Sequence, residues 1–407
     1  MWKRYNRNVL IAIAALFLLV AAVNVIVDPL WAFGTPRIAK VNANKPIFSR
    51  FVRLGKAHII SRLKPQAVVL GSSRTELSIG PGHPHHAGKD WYNLALSGAC
   101  LYEMRRYLDH AIAQGRLQEA LVGLDFYMFD TNLVPKPGFD ESILAPNVKP
   151  WDRVALAFSS SLFKISAESV GKQWRDSLYD PVSGHDFGKF ESLVGDGGQY
   201  AAFTRVLSRI VNKVVPAQAG AEPVRKSETW DQYEAMLVTA HANDLRLTLF
   251  LSPVHAWLWQ PYKERGQWGK IEDWKRGLVR LNEAVARRMG RSPFPLWDFS
   301  GYNIITTERV PDAGDMAAQM HWYYEASHCR SILGDLMQDR IYAVNNPLLP
   351  DDFGIRLTSE SIEAHLSCVR VDQQHWEQTH PRAVAAIRTL ISERSAELAV
   401  RRNDDSN

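Results

Sequence analysis

The chain has 407 residues, 46% hydrophobic and 22% charged, with 48 Lys and Arg against 43 Asp and Glu for a net charge of +5. That is globular composition, long enough for a large core and for more than one domain, and it excludes collagen, mucin and long disordered chains. The charges of both signs are interspersed, which excludes a histone-like polycation, so no nucleic-acid partner is expected.

The first element is an apolar run from Val9 to Val27 whose only polar residue is Asn24. As a helix it spans about 28 Å, close to the thickness of a bilayer's hydrocarbon core. Lys3, Arg4 and Arg7 precede it, Asp28-Pro29 ends it, and Trp31 and Phe33 suit an interfacial aromatic belt. No A-x-A-like cleavage site follows the run, so an uncleaved anchor is expected rather than a signal peptide. The dense positive charge of the short head, residues 1–8, favours an N-terminus inside and a body outside the cytoplasm, even though Arg37, Lys40 and Lys45 lie on the other side. That describes a single-pass protein of the inner, cytoplasmic membrane with a periplasmic or extracytoplasmic body. No later stretch is long enough to span again.

Residues 28–64 read as a juxtamembrane segment. Within it Ile47, Phe51, Leu54, Ile59, Ile60 and Leu63 recur at helical spacing, as a helix packed on the body or lying on the membrane surface. Ala67–Leu70 is a buried-strand run closed by Gly71, and Trp91–Leu96 is a second strand. Ala99–Gln114 is a helix with Leu101, Met104, Leu108 and Ile112 on one face, and Ala120–Phe126 is a third strand. An insertion of about 130–228, rich in Pro and Gly with short helical pieces such as Trp151–Phe158, breaks the rhythm. Leu245–Leu251, the helix Ile271–Met289, the strand Leu296–Phe299 and the helix Cys329–Val344 resume it. Short apolar strands alternating with helices predict a doubly wound α/β domain on a parallel sheet, over 65–345. A mostly helical extension with a polar tail fills 346–407.

In an open parallel sheet, ligands bind beyond the carboxyl ends of the strands. The first strand leads into Gly71-Ser72-Ser73-Arg74, and the second supplies Asn93 and then Ser97-Gly98. The third supplies Asp125 and Asp130, the fourth His255, and Glu325 and His328 stand before the last helix. A hydroxyl, an imidazole and a carboxylate are the parts of nucleophilic acyl transfer: the base takes the serine proton, and the acid fixes the base's tautomer. Glycine before the serine permits a sharp turn into a helix N-terminus, where N–H groups can meet an oxyanion. The orienting acid can be Glu325, or Asp298, Asp312 or Asp315; the base can be His328 or His255. Arg74 can hold an anionic acceptor or sit on the surface of a helix's first turn. Asn93, Asp125, His255, His321 and Trp322 are further substrate-binding candidates. His83, His85 and His86 lie in a Gly/Pro loop with no carboxylate or cysteine at ligand spacing, which reads as a solvated loop. Cys100, Cys329 and Cys368 form no framework or metal pattern, so no metal and no cofactor is expected.

This order resembles the SGNH (GDSL-like) hydrolase superfamily. Its first block, a strand followed by Gly-Asp-Ser, is matched by AVVLGSSR, which implies Ser73 as nucleophile with Ser72 at the aspartate position. Gly98 in YNLALSG matches the oxyanion-hole glycine, so the implied hole is Ser73 and Gly98; Glu325-Ala-Ser-His328 matches the Asp-x-x-His block. The third block departs, since Gly123-Leu124-Asp125-Phe126 puts Asp125 where the family has an oxyanion-hole asparagine. Within the superfamily the chain is similar to membrane-anchored extracytoplasmic members, the DltD type and the alginate-type polysaccharide O-acetyltransferases, through Gly-Ser-Ser, Asp28-Pro29 and LFLSPVHA. The Asp-x-His element of the alginate type is missing. The resemblance implies an acyl-serine intermediate, a hydroxyl of an exopolysaccharide or cell-envelope glycan as acceptor, and a membrane-bound O-acyltransferase as donor partner. A plain esterase or deacetylase shares that intermediate. A catalytically inactive glycan-binding or assembly protein, to which the 13 tryptophans would lend sugar-stacking surfaces, is the reading from another class.

Overall fold

The computed structural model describes residues 2–129, 133–139, 141–144, 150–175, 179–180, 183–186, 194–214 and 227–404. The strands in chain order are β1 (Ala67–Leu70), β2 (Trp91–Asn93), β3 (Glu119–Leu124), β4 (Tyr179–Asp180), β5 (His185–Asp186), β6 (Arg246–Leu251), β7 (Leu296–Asp298), β8 (Tyr323–Glu325), β9 (His328–Cys329) and β10 (Ile355–Arg356). The helices are α1 (Trp2–Val27), α2 (Val52–Leu63), α3 (Ser73–Ser78), α4 (Leu101–Ala113), α5 (Pro150–Ala157), α6 (Ser160–Gly171) and α7 (Gly198–Val214). They continue with α8 (Ser227–Ala242), α9 (Ala256–Glu264), α10 (Trp268–Arg288), α11 (Ser331–Ile341), α12 (Ile362–Thr379) and α13 (Pro381–Asp404).

The main sheet has the order β2-β1-β3-β6-β7-β10. Its first five strands are parallel, and β10 is antiparallel to β7. All four residues of β1 and the last five of β3 are buried, as expected of strands covered on both faces. β1 and β3 lie side by side where the strand order reverses direction, the place in an open parallel sheet where ligands generally bind. The extension beyond 346 is not separate from this sheet. β10 lies within it, and Phe353, Leu357, Trp376 and Ile387 join the same core.

α1 is, among the described residues, the one helix long and apolar enough to cross a membrane. Its end is firmly built. The Asp28 carboxylate accepts the backbone N–H groups of Phe33, Gly34 and Thr35, and Lys45 donates to the carbonyls of Val27 and Asp28. Trp31, expected at the interface, is instead buried, with Lys45, Arg62 and Arg37 around its ring. Cationic side chains over the indole face give it a better partner in the body than lipid would. α2 packs inward, with Ile59 and Ile60 fully buried, so it belongs to the body rather than to a membrane surface.

Candidate functional site

The turn after β1 is shaped by packing. A Cβ on Gly71 or on Gly123 would each come within 2.1 Å of Thr75 Oγ1, so only glycine lets α3 nestle against the ends of β1 and β3. Ser72 is the N-cap of α3, its Oγ accepting the N–H of Arg74 at 3.1 Å. Ser73 is therefore the first helical residue, and it is half-buried.

Ser73 Oγ lies 2.7 Å from His328 Nε2, and His328 Nδ1 is hydrogen-bonded to Glu325 Oε1. A carboxylate only accepts, so Glu325 places the imidazole proton on Nδ1 and leaves Nε2 to accept the serine proton. The Glu325 side chain is 1% exposed and that of His328 16%. The second Glu325 oxygen accepts the N–H of Ser327 at 2.8 Å. The three side chains thus form a continuous chain of hydrogen bonds, with Glu325 buried and His328 partly exposed.

The spacing of Glu325 and His328 works through a hairpin, not a helix approach. β8 and β9 pair antiparallel across Ala326-Ser327, with Glu325 directly opposite His328. Residues flanking such a tight turn have adjacent side chains. Three contacts dock this hairpin at the sheet's carboxyl edge. Arg74 Nε donates to Ser327 Oγ at 3.0 Å, the His255 N–H donates to the Ala326 carbonyl at 3.1 Å, and Gln199 Nε2 donates to the Tyr323 carbonyl at 2.7 Å. α11 then begins at Ser331, and not at Cys329 as periodicity suggested.

Arg74 is not a surface residue. It is 8% exposed, and its guanidinium also donates to Asp125 Oδ1 at 2.9 Å, while Ser72 Oγ donates to Asp125 Oδ2 at 2.5 Å. Burial opposes the Arg74 charge, but Asp125 and Tyr127 outweigh it and raise its pKa. The Asp125 carboxylate therefore faces Arg74 and Ser72 as half of a buried ion pair. Two of the guanidinium nitrogens are thereby engaged, Nη1 with Asp125 and Nε with the hairpin.

Gly98 sits in the left-handed region at φ 66°, in the loop that follows β2. Asn93 turns into the protein to hold that loop, its Oδ1 accepting the N–H of Ala95 at 3.0 Å and its Nδ2 donating to the Ile79 carbonyl at 2.9 Å. Ser97 Oγ donates to Glu76 Oε2 at 2.8 Å, and Arg53 donates to the Ser97 carbonyl at 3.1 Å. His255 is also turned inward: it is 1% exposed, its Nδ1 accepts the N–H of Trp257 and its Nε2 donates to the Glu308 carbonyl at 2.7 Å. Burial lowers its pKa to about 4, so it is a neutral structural residue. Asp298 binds Lys275 and His365, away from His328, and Asp312 pairs with Arg309. Asp315 accepts the N–H groups of Ala317 and Ala318, and Asp130 lies outside the described residues. His321, exposed, stacks edge-on to Trp322 at 4.2 Å, and Glu308 accepts both their backbone N–H groups.

Sequence reasoning missed Ser327, Gln199 and Glu308 as supports, because their partners are backbone groups or distant in the chain. It also misread the histidine loop. His83 and His86 are buried and bonded to Asp339 and Gln338 of α11, and His85 stacks on Tyr342 at 3.4 Å. Among the described residues, no group of three His, Cys, Asp or Glu side chains is placed to hold a metal. Cys100 and Cys329 are buried free thiols, whose pKa burial pushes up to about 11 and about 12. No family model matches this chain, and no curated protein matches it.

Proposed function

We propose that the chain is a membrane-anchored serine acyltransferase of the SGNH type. It moves an acyl group, acetyl by preference, to a hydroxyl of an exopolysaccharide or cell-envelope glycan. The observation that carries this reading is the relay from Ser73 Oγ through His328 to the buried Glu325. The parallel strand order and the place of Ser73, just beyond β1 at the point where the order reverses, support the doubly wound framework of that superfamily. α1 serves as the single-pass anchor, with the N-terminus in the cytoplasm and the body on the extracytoplasmic side. A membrane-bound O-acyltransferase supplies the acyl group.

In the first half-reaction His328 Nε2 takes the Ser73 proton as Oγ bonds to the acyl carbon. The tetrahedral oxyanion is met by the Ser73 and Gly98 N–H groups. The bond to the donor's leaving group breaks, and His328 returns the proton to that group. In the second half the acceptor hydroxyl gives its proton to His328 and attacks the acyl carbon, and Ser73 leaves as the alcohol, taking that proton back. Glu325 stays ionised and steadies the imidazolium in both halves. Asp125 plays no part as an oxyanion donor here. Its place is behind Ser72 and Arg74, holding the nucleophile turn against the hairpin.

The test uses the full chain in detergent with p-nitrophenyl acetate as donor and a polyuronate oligosaccharide as acceptor. Acyltransfer predicts nitrophenolate release that accelerates with the oligosaccharide, together with an acetylated oligosaccharide by mass. Release indifferent to the oligosaccharide, with acetate as the product, would replace the transferase by an esterase.

A further inference from the structure

The helical pair α5–α6 carries an apolar face on the side of the molecule where α1 enters. Trp151, Val154, Ala155 and Phe158 recur at the i, i+3, i+4, i+7 spacing of one helix face. That face looks outward: Trp151 is 70% exposed, Val154 52% and Phe158 39%. Trp174, just past α6, is 75% exposed, and Arg175 lies 4.8 Å over its ring.

The pair is bound to α1 itself. Asn24, the polar residue in the apolar run, is fully buried there. Its Nδ2 donates to the carbonyls of Ala157 and Ser159 at 2.8 and 2.9 Å, and its Oδ1 accepts Ser166 Oγ at 3.0 Å. These carbonyls belong to the break between α5 and α6, where the helical ladder is interrupted. The anchor, not water, thus satisfies the backbone groups that a break would otherwise expose, as hydrocarbon requires. Deeper along the anchor, the Phe158 ring lies 6.5 Å from that of Phe17. At 1.5 Å per residue, Phe17 is about 15 Å along the axis from Val27. On the other side, Leu162 packs with Leu30 and Ala32, Arg153 donates to the Ser61 carbonyl, and Asn44 donates to the carbonyls of Gln173 and Arg175. The pair is fixed both to the anchor and to the body.

We propose that α5–α6 is a membrane-embedded wedge, its Trp151, Val154 and Phe158 face immersed in the acyl chains of the outer leaflet and Trp174 at the headgroup level. The occupant of the face is lipid. α1 is the helix that crosses the bilayer, and a segment packed beside Phe17 and Asn24 shares their depth. Trp174 with its adjacent Arg175 has the amphipathic character of an interfacial anchor. The inference rests on the reading of α1 as a transmembrane anchor. One consequence is that the body is held at a fixed height and tilt instead of swinging on a single helix.

The test uses the full chain with Cys368→Ser, which leaves the two buried thiols in place, reconstituted in phosphatidylcholine and phosphatidylglycerol vesicles. Bimane is attached in turn at Phe158→Cys, Val154→Cys, Trp174→Cys, Leu18→Cys in the anchor, and Val371→Cys on α12. Quenching by doxyl-labelled lipid is compared with quenching by iodide. The wedge predicts that positions 154 and 158 behave like 18, losing most of their emission to doxyl lipid and almost none to iodide. Position 174 should respond to a doxyl group near the headgroup, and position 371 to iodide alone. Iodide quenching at 158 as strong as at 371, with 18 still lipid-quenched, would overturn the wedge and leave the anchor standing. Shielding of 158 from both quenchers would overturn lipid in favour of a protein neighbour. Iodide quenching at 18 would remove the anchor and the wedge together.

Discussion

Two neighbouring regions of the sheet solve the same problem with different outcomes. Asp125 follows β3 and Asp298 ends β7; both carboxylates are buried, and both are paired with a buried cation. Burial opposes the charge of Asp298, but Lys275 and His365 outweigh it and hold the carboxyl well below the usual range. That cluster ties α10 and α12 to the sheet, and its lysine is a point charge with one task. The cation at Asp125 is an arginine, and its planar fork does two things at once. One nitrogen meets Asp125, which also holds Ser72, and another meets Ser327 in the turn that carries Glu325 and His328. A polar strand end is therefore not in itself a mark of a site. What sets Arg74 apart is that it reaches from the Ser73 turn to the hairpin that carries Glu325 and His328.

Neutralising each carboxylate in turn separates the two regions. Asp298→Asn leaves Lys275 buried without its counter-charge and should cost about 3–5 kcal/mol in urea unfolding. Acyl turnover per folded molecule should not change. Asp125→Asn should cost less stability, since the amide still accepts from Arg74, but turnover should fall about 100-fold as the hairpin shifts relative to Ser73. The reverse pattern, turnover lost at Asp298 and kept at Asp125, would dissolve the distinction.

A smaller effect comes from the strand between them. After β6, His255 is buried neutral, its pKa lowered from 6.5 to about 4. The folded form takes a proton later than the unfolded one, so this contribution is intact above pH 6.5 and is lost as the pH falls towards 4. His58 and His86 are lowered to about 4 by burial in the same way. Each contributes about 3 kcal/mol to the fall over that window. His255→Asn, which keeps a helix cap, should flatten part of the slope of unfolding free energy against pH. An unchanged slope would show that His255 does not titrate as its burial implies.

The long or strongly apolar elements were legible in the sequence. AVVL and LFL carry enough burial to mark β1 and β6, and the periodicity of residues 271–289 places α10 within a few residues. What was not legible was short or held by long-range contacts. β8 and β9 have three and two residues, too few for a period, so the Glu325–His328 spacing could be read but not the hairpin that produces it. The regular second strand is only Trp91–Asn93, yet the N–H groups of Leu94 and Leu96 still reach the Val69 and Gly71 carbonyls while Asn93 takes the Ala95 N–H, a side-chain capture that local hydropathy does not encode. Asp125 was legible as a departure from a motif, but its partner Arg74 lies 51 residues away in the chain. The charge balance at the site emerges only when β1 and β3 are laid side by side.

Whether Ser73 is an activated nucleophile is decided by its reaction with a fluorophosphonate. The full chain, Ser73→Ala, Ser72→Ala and Glu325→Gln are each treated in detergent, and the adduct is read by intact mass. The account predicts a single adduct on the parent chain, retained in Ser72→Ala, absent in Ser73→Ala, and formed at least about 100-fold more slowly in Glu325→Gln. An adduct that survives in Ser73→Ala, or none on the folded parent chain, would contradict it.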